Sequence, residues 1–131
     1  MKILTSHSQI DFDGLASIVG ASLIHTDARI VLPNEQQPGV KKILSLYRDY
    51  LKIELASSIN WEDVSELIIV DASTIKRCGI PEDKLSKDLS LIIYDHHNQP
   101  SDPRATRTTH EKVGACVTIL IEIIKERNLT L

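Results

Sequence analysis

The chain has 131 residues, of which 42% are hydrophobic and 25% charged, and its formal net charge at pH 7 is −3. This length suits one domain with its own core, and the small acidic excess differs from the basic balance of general nucleic-acid binders. Because no apolar stretch approaches the ~20 residues of a membrane helix and no signal segment opens the chain, we expect a cytoplasmic protein without a membrane partner. Cys78 and Cys116 lack metal-binding spacing, so we expect buried free thiols.

Apolar runs alternate with helical stripes along the chain. In chain order, the pattern predicts strand 2–5, helix 14–24, strand 29–33, helix 40–51, strand 66–71, short helix 81–89, strand 90–95 and helix 113–127. The face that we expect the first helix to bury contains Leu15, Ile18, Val19 and Ser22. Solid apolar strands that alternate with helices are typical of a parallel sheet. We therefore predict a three-layer α/β/α domain with a mainly parallel sheet of four strands and helices on both faces.

Acidic and histidine side chains follow three of these predicted strands. The first strand is followed by His7, Asp11 and Asp13, and the third ends at Asp71. The fourth ends in three consecutive ionisable residues, which are Asp95, His96 and His97. Because the carboxyl ends of parallel strands share one edge of the sheet, where ligands bind, we expect these side chains to meet there. The alternatives are that the histidines lie in a solvated loop and that Asp13 is only a helix N-cap.

A cluster of three carboxylates requires either protons or cations. Two carboxylates about 4 Å apart repel by roughly 4 kcal/mol at an effective dielectric constant near 20, and three such pairs cost on the order of 10 kcal/mol, comparable to the stability of a domain. Carboxylate and imidazole without thiolate suit Mn²⁺ first, with Mg²⁺, Fe²⁺, Co²⁺ or Zn²⁺ as alternatives. We therefore expect a metal centre.

Four segments resemble the motifs of the DHH phosphoesterase family. They are SHSQIDFDGLAS (6–17), IIVDAS (68–73), YDHHNQP (94–100) and VGACVTIL (113–120). The family includes RecJ-type exonucleases, oligoribonucleases, cyclic dinucleotide phosphodiesterases, exopolyphosphatases and manganese-dependent pyrophosphatases. A finer resemblance, in segments 31–51 and 113–131, is to the N-terminal DHH module of bacterial proteins that continue into CBS domains and a tRNA nucleotidyltransferase/poly(A) polymerase domain.

The resemblance implies two Mn²⁺ ions and a set of ligands. His7 and Asp11 would hold the first ion, Asp13 and His96 the second, and Asp71 would bridge both. The catalytic residues would be Asp13, Asp71, His96 and His97. Asp95 would orient a histidine from behind, and His97 would lie beside the substrate phosphate. The implied reaction is hydrolysis of a phosphodiester or phosphoanhydride in a nucleotide or short single-stranded nucleic acid, with two ions about 3.5–4 Å apart.

Several further residues have both a functional and an ordinary interpretation. Gly114 at the start of the last predicted helix would present a backbone N–H to phosphate, or it permits close packing. Arg104 and Arg107 are possible phosphate contacts, although a solvated loop is the more ordinary expectation. We expect the remaining candidates, Lys76, Arg77, His25 and His110, to lie at the surface, and Trp61 to pack in a loop or helix start.

The sequence departs from the family pattern after the last predicted helix. The family supplies another Asp ligand and a substrate-binding domain further on, so we expect residues 1–131 to be a DHH phosphoesterase domain truncated before them. The second ion would then bind more weakly than the first. Whether the chain is an active enzyme stays open at this stage. The alternatives are a non-catalytic nucleotide-binding or regulatory module attached to a tRNA nucleotidyltransferase, and a pyrophosphatase-like enzyme.

Overall fold

The computed structural model describes residues 1–33, 38–96, 102–110, 121 and 123–127. Six strands form one sheet in the order β3-β2-β1-β4-β5-β6, and every neighbouring pair is parallel. The strands are β1 (Lys2–Thr5), β2 (Arg29–Leu32), β3 (Glu54–Leu55), β4 (Glu66–Val70), β5 (Ser90–Asp95) and β6 (Arg107–His110). Two α-helices are described, α1 (Phe12–Ile24) and α2 (Pro38–Leu51). The predicted α/β class with a parallel sheet is confirmed.

The three central strands are buried on both faces, which explains their solid apolar sequences. One face packs against α1 and α2 through a cluster that includes Leu4, Leu15, Ile18, Val40, Leu44, Ile68 and Ile92. The opposite face packs against single turns of 3₁₀ helix through Ile3, Trp61, Leu67, Ile75, Cys78 and Ile93. These turns are Ala56–Ser58, Trp61–Asp63, Ile75–Cys78 and Glu82–Lys84. Side chains along each strand alternate between the two clusters, as the period of two requires.

The sheet has two strands that the sequence did not predict, β3 and β6. β3 contains only Glu54 and Leu55, and β6 has the polar sequence RTTH, so neither offers an apolar run. Both lie at the edges of the sheet, where one side of the strand has no neighbour and a long apolar sequence is not required.

Two details of the predicted helices differ from the structure. The predicted helix 81–89 is a single 3₁₀ turn, Glu82–Lys84, because the segment has too few apolar residues to cover more of the sheet. The buried face of α1 is partly as predicted: Leu15 and Ile18 are buried, but Val19 is 39% exposed. The buried face is completed by the small residues Gly14, Ser17, Gly20 and Ala21. The small side chains on this face allow α1 to lie close to the sheet.

The last predicted helix, 113–127, lies mostly outside the described residues. Residues 121 and 123–126 have helical backbone. Ile124 is buried, and Ile123 packs against the same cluster as α1. In the described segments, no helix is both long and apolar enough to cross a membrane.

Two smaller predictions about buried side chains can be checked. Trp61 begins a 3₁₀ turn and is buried, as expected. Cys78 is a buried free thiol, also as expected, and burial raises its pKa. Cys116 lies outside the described residues.

Candidate metal centre

The carboxylate of Asp71 lies at the middle of the candidate site. Asp71 directly follows β4, its side chain is 2% exposed, and its backbone has a φ of 60°. Its backbone N–H donates to the Tyr94 carbonyl oxygen at 2.9 Å. One carboxylate oxygen, Oδ2, lies 3.3 Å from His7 Nε2, and the other, Oδ1, lies 3.2 Å from His96 Nε2. The two oxygens of one buried carboxylate therefore face two different imidazoles.

The first group of potential ligands contains His7, Asp11 and Asp71. His7 Nε2 lies 3.8 Å from Asp11 Oδ1, while His7 Nδ1 lies 2.8 Å from the Ser8 carbonyl oxygen. Since a carbonyl oxygen only accepts, Nδ1 carries a proton and the Nε2 lone pair of the neutral ring faces the carboxylates. In the protonated ring Nε2 also carries a proton and donates it to Asp71, which raises the pKa of His7, although partial burial opposes this.

The second group contains Asp13, Asp71 and His96. His96 Nε2 lies 3.4 Å from Asp13 Oδ2, and it is also the atom that faces Asp71. Within each group, one ligand atom per residue can be chosen so that all of these atoms lie within 4.8 Å of one another. The structure thus brings together the five residues predicted as metal ligands, in the two groups that the family resemblance implied, with Asp71 common to both.

The start of α1 fixes the two aspartates of the first motif. Asp11 is the N-cap, and its Oδ1 accepts the Gly14 N–H at 2.9 Å. Asp13 therefore does not cap the helix but lies in its first turn, where Ser17 Oγ donates to its Oδ1 at 3.5 Å. A Cβ on Gly14 would lie 2.7 Å from Ile10 Cγ1, so glycine permits the close packing of the helix start against the loop after β1. Both carboxylates are also well placed near the positive end of the helix dipole.

The donor set suits a hard or borderline divalent cation. Among the described residues, three carboxylates and two imidazoles converge and no thiolate joins them, which is a donor set that Mn²⁺ accepts. The side chains around buried Asp71 are partly exposed, from 15% for His96 to 44% for Asp11. The four side chains around Asp71 are therefore partly accessible to solvent.

The other predicted site residues fall in different places. Asp95, at the end of β5, is fully buried. Arg104 is held by carboxylates: its Nε and Nη2 each donate to Asp102 at 2.9 Å, and Nη2 also donates to Glu82. Arg107 begins β6, although its side chain is not described. His97 and Gly114 lie outside the described residues, so their predicted roles stay predictions.

Sequence reasoning misjudged His25 and overlooked Asp102. His25 is half-buried, not a surface residue, because its Nε2 lies 2.8 Å from Tyr94 Oη. Asp102 is buried and accepts four hydrogen bonds, yet it lies in a polar segment that resembled a solvated loop. Lys76 and Arg77 are exposed, as expected. The pattern Asp-Pro-Arg was the one available signal for Asp102, since a short acid–arginine spacing often forms a local pair.

Comparisons with known proteins show which sequences and folds the chain is similar to. Two similar proteins are the A-adding tRNA nucleotidyltransferases of Aquifex aeolicus (strain VF5) and Geobacter sulfurreducens (strain ATCC 51573 / DSM 12127 / PCA), each 27% identical over 98% of this chain. The chain spans only 14% and 15% of their respective lengths. An exopolyphosphatase-related protein from Bacteroides fragilis has the same fold, with a TM-score of 0.74 at 16% identity over 95% of this chain and 38% of its own.

The sequence profile described as "DHH family, N-terminal domain" matches residues 2–130, which is almost the full length of the sequence. The four segments that carried the resemblance lie within this match, and three of them supply the residues of the cluster around Asp71. The chain therefore belongs to the DHH family, as an N-terminal domain of it.

Proposed function

We propose that the chain is a metal-dependent phosphoesterase domain that hydrolyses a phosphodiester or phosphoanhydride of a nucleotide or short nucleic acid. The observation that carries the proposal is the position of Asp71, whose two oxygens lie 3.3 Å and 3.2 Å from the Nε2 atoms of two histidines. A buried carboxylate shared in this way is the arrangement that a pair of divalent ions requires.

Two ions, with Mn²⁺ as the first choice, would use separate ligands and one shared ligand. His7 and Asp11 would hold one ion, Asp13 and His96 the other, and Asp71 would contact both. When bound, such ions polarise phosphoryl oxygens and lower the pKa of water, which is the chemistry of two-metal hydrolysis. Three carboxylates nearly balance the charge of two divalent ions, so the site would retain a net positive charge that attracts a phosphate.

The protein groups prepare the site for such ions. The Ser8 carbonyl oxygen selects the His7 tautomer whose Nε2 faces Asp71. This kind of support from behind the ligand commonly raises metal affinity. The burial of Asp71 fixes the shared carboxylate, and the greater exposure of Asp11 and Asp13 leaves the outer side accessible to a substrate.

A second candidate function follows from the curated relatives. They are A-adding tRNA nucleotidyltransferases of which this chain matches a small part. In that setting the domain would be a non-catalytic module that binds a nucleotide or regulates an attached nucleotidyltransferase. A pyrophosphatase-like activity on inorganic substrates is the third alternative, because the structural neighbour is an exopolyphosphatase-related protein.

Hydrolysis assays in Mn²⁺ separate these functions. Both this chain and a longer natural protein that contains it should be assayed on the same four substrates. These are bis(p-nitrophenyl) phosphate, short oligonucleotides, cyclic dinucleotides and pyrophosphate. The proposal predicts Mn²⁺-dependent cleavage of phosphodiesters that is absent in Asp71→Asn. Nucleotide binding without turnover in both proteins would favour the regulatory module, and preference for pyrophosphate would favour the inorganic substrate.

A further inference from the structure

A single 3₁₀ turn, Ile75–Cys78, follows Asp71 and lies between two other loops of the carboxyl edge. Ile75 and Cys78 are both buried against the sheet. The polar groups at the two ends of this turn are hydrogen-bonded to different parts of the chain, and neither of these parts belongs to the Asp71 loop.

The end of the turn is bonded to the loop that carries His7. The N–H and the Oγ of Ser8 both donate to the Arg77 carbonyl oxygen, at 2.8 Å and 3.0 Å. Because Ser8 also supplies the carbonyl that contacts His7 Nδ1, the position of the turn influences where the His7 ring can lie.

The beginning of the turn is bonded to Asp102, which follows β5 by several residues. Asp102 Oδ2 accepts the Ile75 N–H at 3.1 Å, and the Asp102 backbone N–H donates to the Ser73 carbonyl oxygen at 2.8 Å. These two bonds attach Asp102 to the residues two and four positions after Asp71. Asp102 is 4% exposed, so solvent does not readily replace them.

Arg104 keeps the Asp102 carboxylate charged. Its backbone N–H, Nε and Nη2 donate to the two carboxylate oxygens at 3.0, 2.9 and 2.9 Å. Burial alone would raise the pKa of Asp102, but the hydrogen bonds from Arg104 and Ile75 outweigh it, so the pKa lies below its ordinary value. A hydrogen bond to a charged acceptor is roughly twice as strong as a neutral one, and the Ile75 bond gains from this.

We propose that Asp102 is a positioning residue for Asp71 and, through the Ile75–Cys78 turn, for His7. Asp71 has a left-handed backbone conformation, which is uncommon for residues other than glycine and persists when the surrounding structure holds it. Loss of the Asp102 charge would loosen the turn and widen the range of distances between the Asp71 carboxylate and His7 Nε2. The inference rests on the proposed function only where metal affinity is the measured quantity.

The substitution Asp102→Asn tests this role, because it removes the charge and nearly preserves the size. In the metal-free chain, amide hydrogen exchange at Ile75 and Asp71 should accelerate by about tenfold or more, as for loss of a bond to a charged acceptor. Exchange at Leu67 and Ile93 in the central strands should stay unchanged. Mn²⁺ affinity, measured by calorimetry, should fall by about tenfold, a typical effect of outer ligand support.

Glu82→Gln is the matched control, since Glu82 contacts the same Arg104 guanidinium at the surface but does not contact the turn. It should alter neither exchange at Ile75 nor Mn²⁺ affinity. If Asp102→Asn also unprotects the central strands, Arg104→Gln replaces it as the test, and selective acceleration at Ile75 is again expected.

The outcomes separate the two proposals. If the unchanged chain binds no Mn²⁺ but Asp102→Asn still accelerates exchange at Asp71 and Ile75, the metal function is wrong and the positioning role stands. If the chain binds Mn²⁺ while Asp102→Asn, or Arg104→Gln in its place, changes neither exchange nor affinity, the positioning role is wrong.

Discussion

The two edges of the parallel sheet use charged side chains in opposite ways. At the amino edge, acids pair with bases. Lys2 donates to Asp27 at 2.7 Å, and the Nε and Nη2 atoms of Arg29 both donate to the Glu54 carboxylate. Asp27 and Glu54 thus each have a positive neighbour from the protein. Such exposed pairs contribute little to stability, but they also cost little.

At the carboxyl edge, three carboxylates converge on two imidazoles. The Asp71 carboxylate has an imidazole nitrogen within 3.3 Å of each oxygen, and Asp11 and Asp13 complete the two groups. Unless protons or cations offset them, the three negative charges repel one another. The contrast teaches that the chain pairs its exposed charges at the amino edge but gathers like charges at the carboxyl edge, which is the difference that the proposed metal site would explain.

The largest effect should come from Asp71→Asn. Because this carboxylate belongs to both groups, we expect Mn²⁺ binding to fall by at least two orders of magnitude at both positions, beyond the about 10–100-fold effect of an outer residue. Calorimetric titration measures the loss. Asp27→Asn, which removes an acid at the amino edge, is the control and should bind Mn²⁺ like the unchanged chain. Two intact binding events in Asp71→Asn would show that Mn²⁺ binding does not depend on the shared carboxylate at the carboxyl edge.

Single histidine substitutions should separate the two groups. His7→Ala removes a ligand from the group with Asp11, and His96→Ala removes one from the group with Asp13. In each variant, the Mn²⁺ affinity of one of the two binding events should therefore fall by about tenfold or more. The two events should also be unequal in the unchanged chain, because the first bound cation repels the second. Titration of both variants under the same conditions decides this. Loss of both events in either variant would mean that the two groups act as one site.

Mn²⁺ should stabilise the fold through the carboxyl edge. At a free concentration 100 times the dissociation constant, binding to the folded state adds about 2.7 kcal/mol to the free energy of unfolding. Thermal denaturation should therefore show a higher midpoint with Mn²⁺, reversed by EDTA. The midpoint of Asp71→Asn should not respond to Mn²⁺, and an equal rise in that variant would place the binding elsewhere.

The smallest effect should come from the amino edge. Lys2 and Asp27 are both well exposed, at 44% and 62%. We expect Lys2→Ala to change neither the unfolding midpoint nor Mn²⁺ affinity by a measurable amount, because solvent replaces the lost partner. A large drop in Mn²⁺ affinity in this variant would indicate coupling between the edges that the contacts do not suggest.

The convergence of these residues was predictable from sequence because the ends of buried strands can be located by their apolar runs. Asp71 and His96 directly follow such runs, and parallel pairing brings those ends together. β3 and β6 were not predictable, because short or polar edge strands depend on backbone pairing with a neighbour more than on their own side chains. The role of Asp102 was also hidden, since its bond to Ile75 joins residues 27 positions apart.

Electron paramagnetic resonance of the Mn²⁺-loaded chain tests the central claim, that Asp71 is shared by two ions, most directly. Ions joined by one carboxylate lie about 3.5–4 Å apart and should be magnetically coupled. We predict a broad multiline spectrum from a coupled pair at saturating Mn²⁺, replaced in Asp71→Asn by the six-line spectrum of free Mn²⁺. If Mn²⁺ bound to the unchanged chain gives an uncoupled six-line spectrum and no multiline spectrum, the account is contradicted.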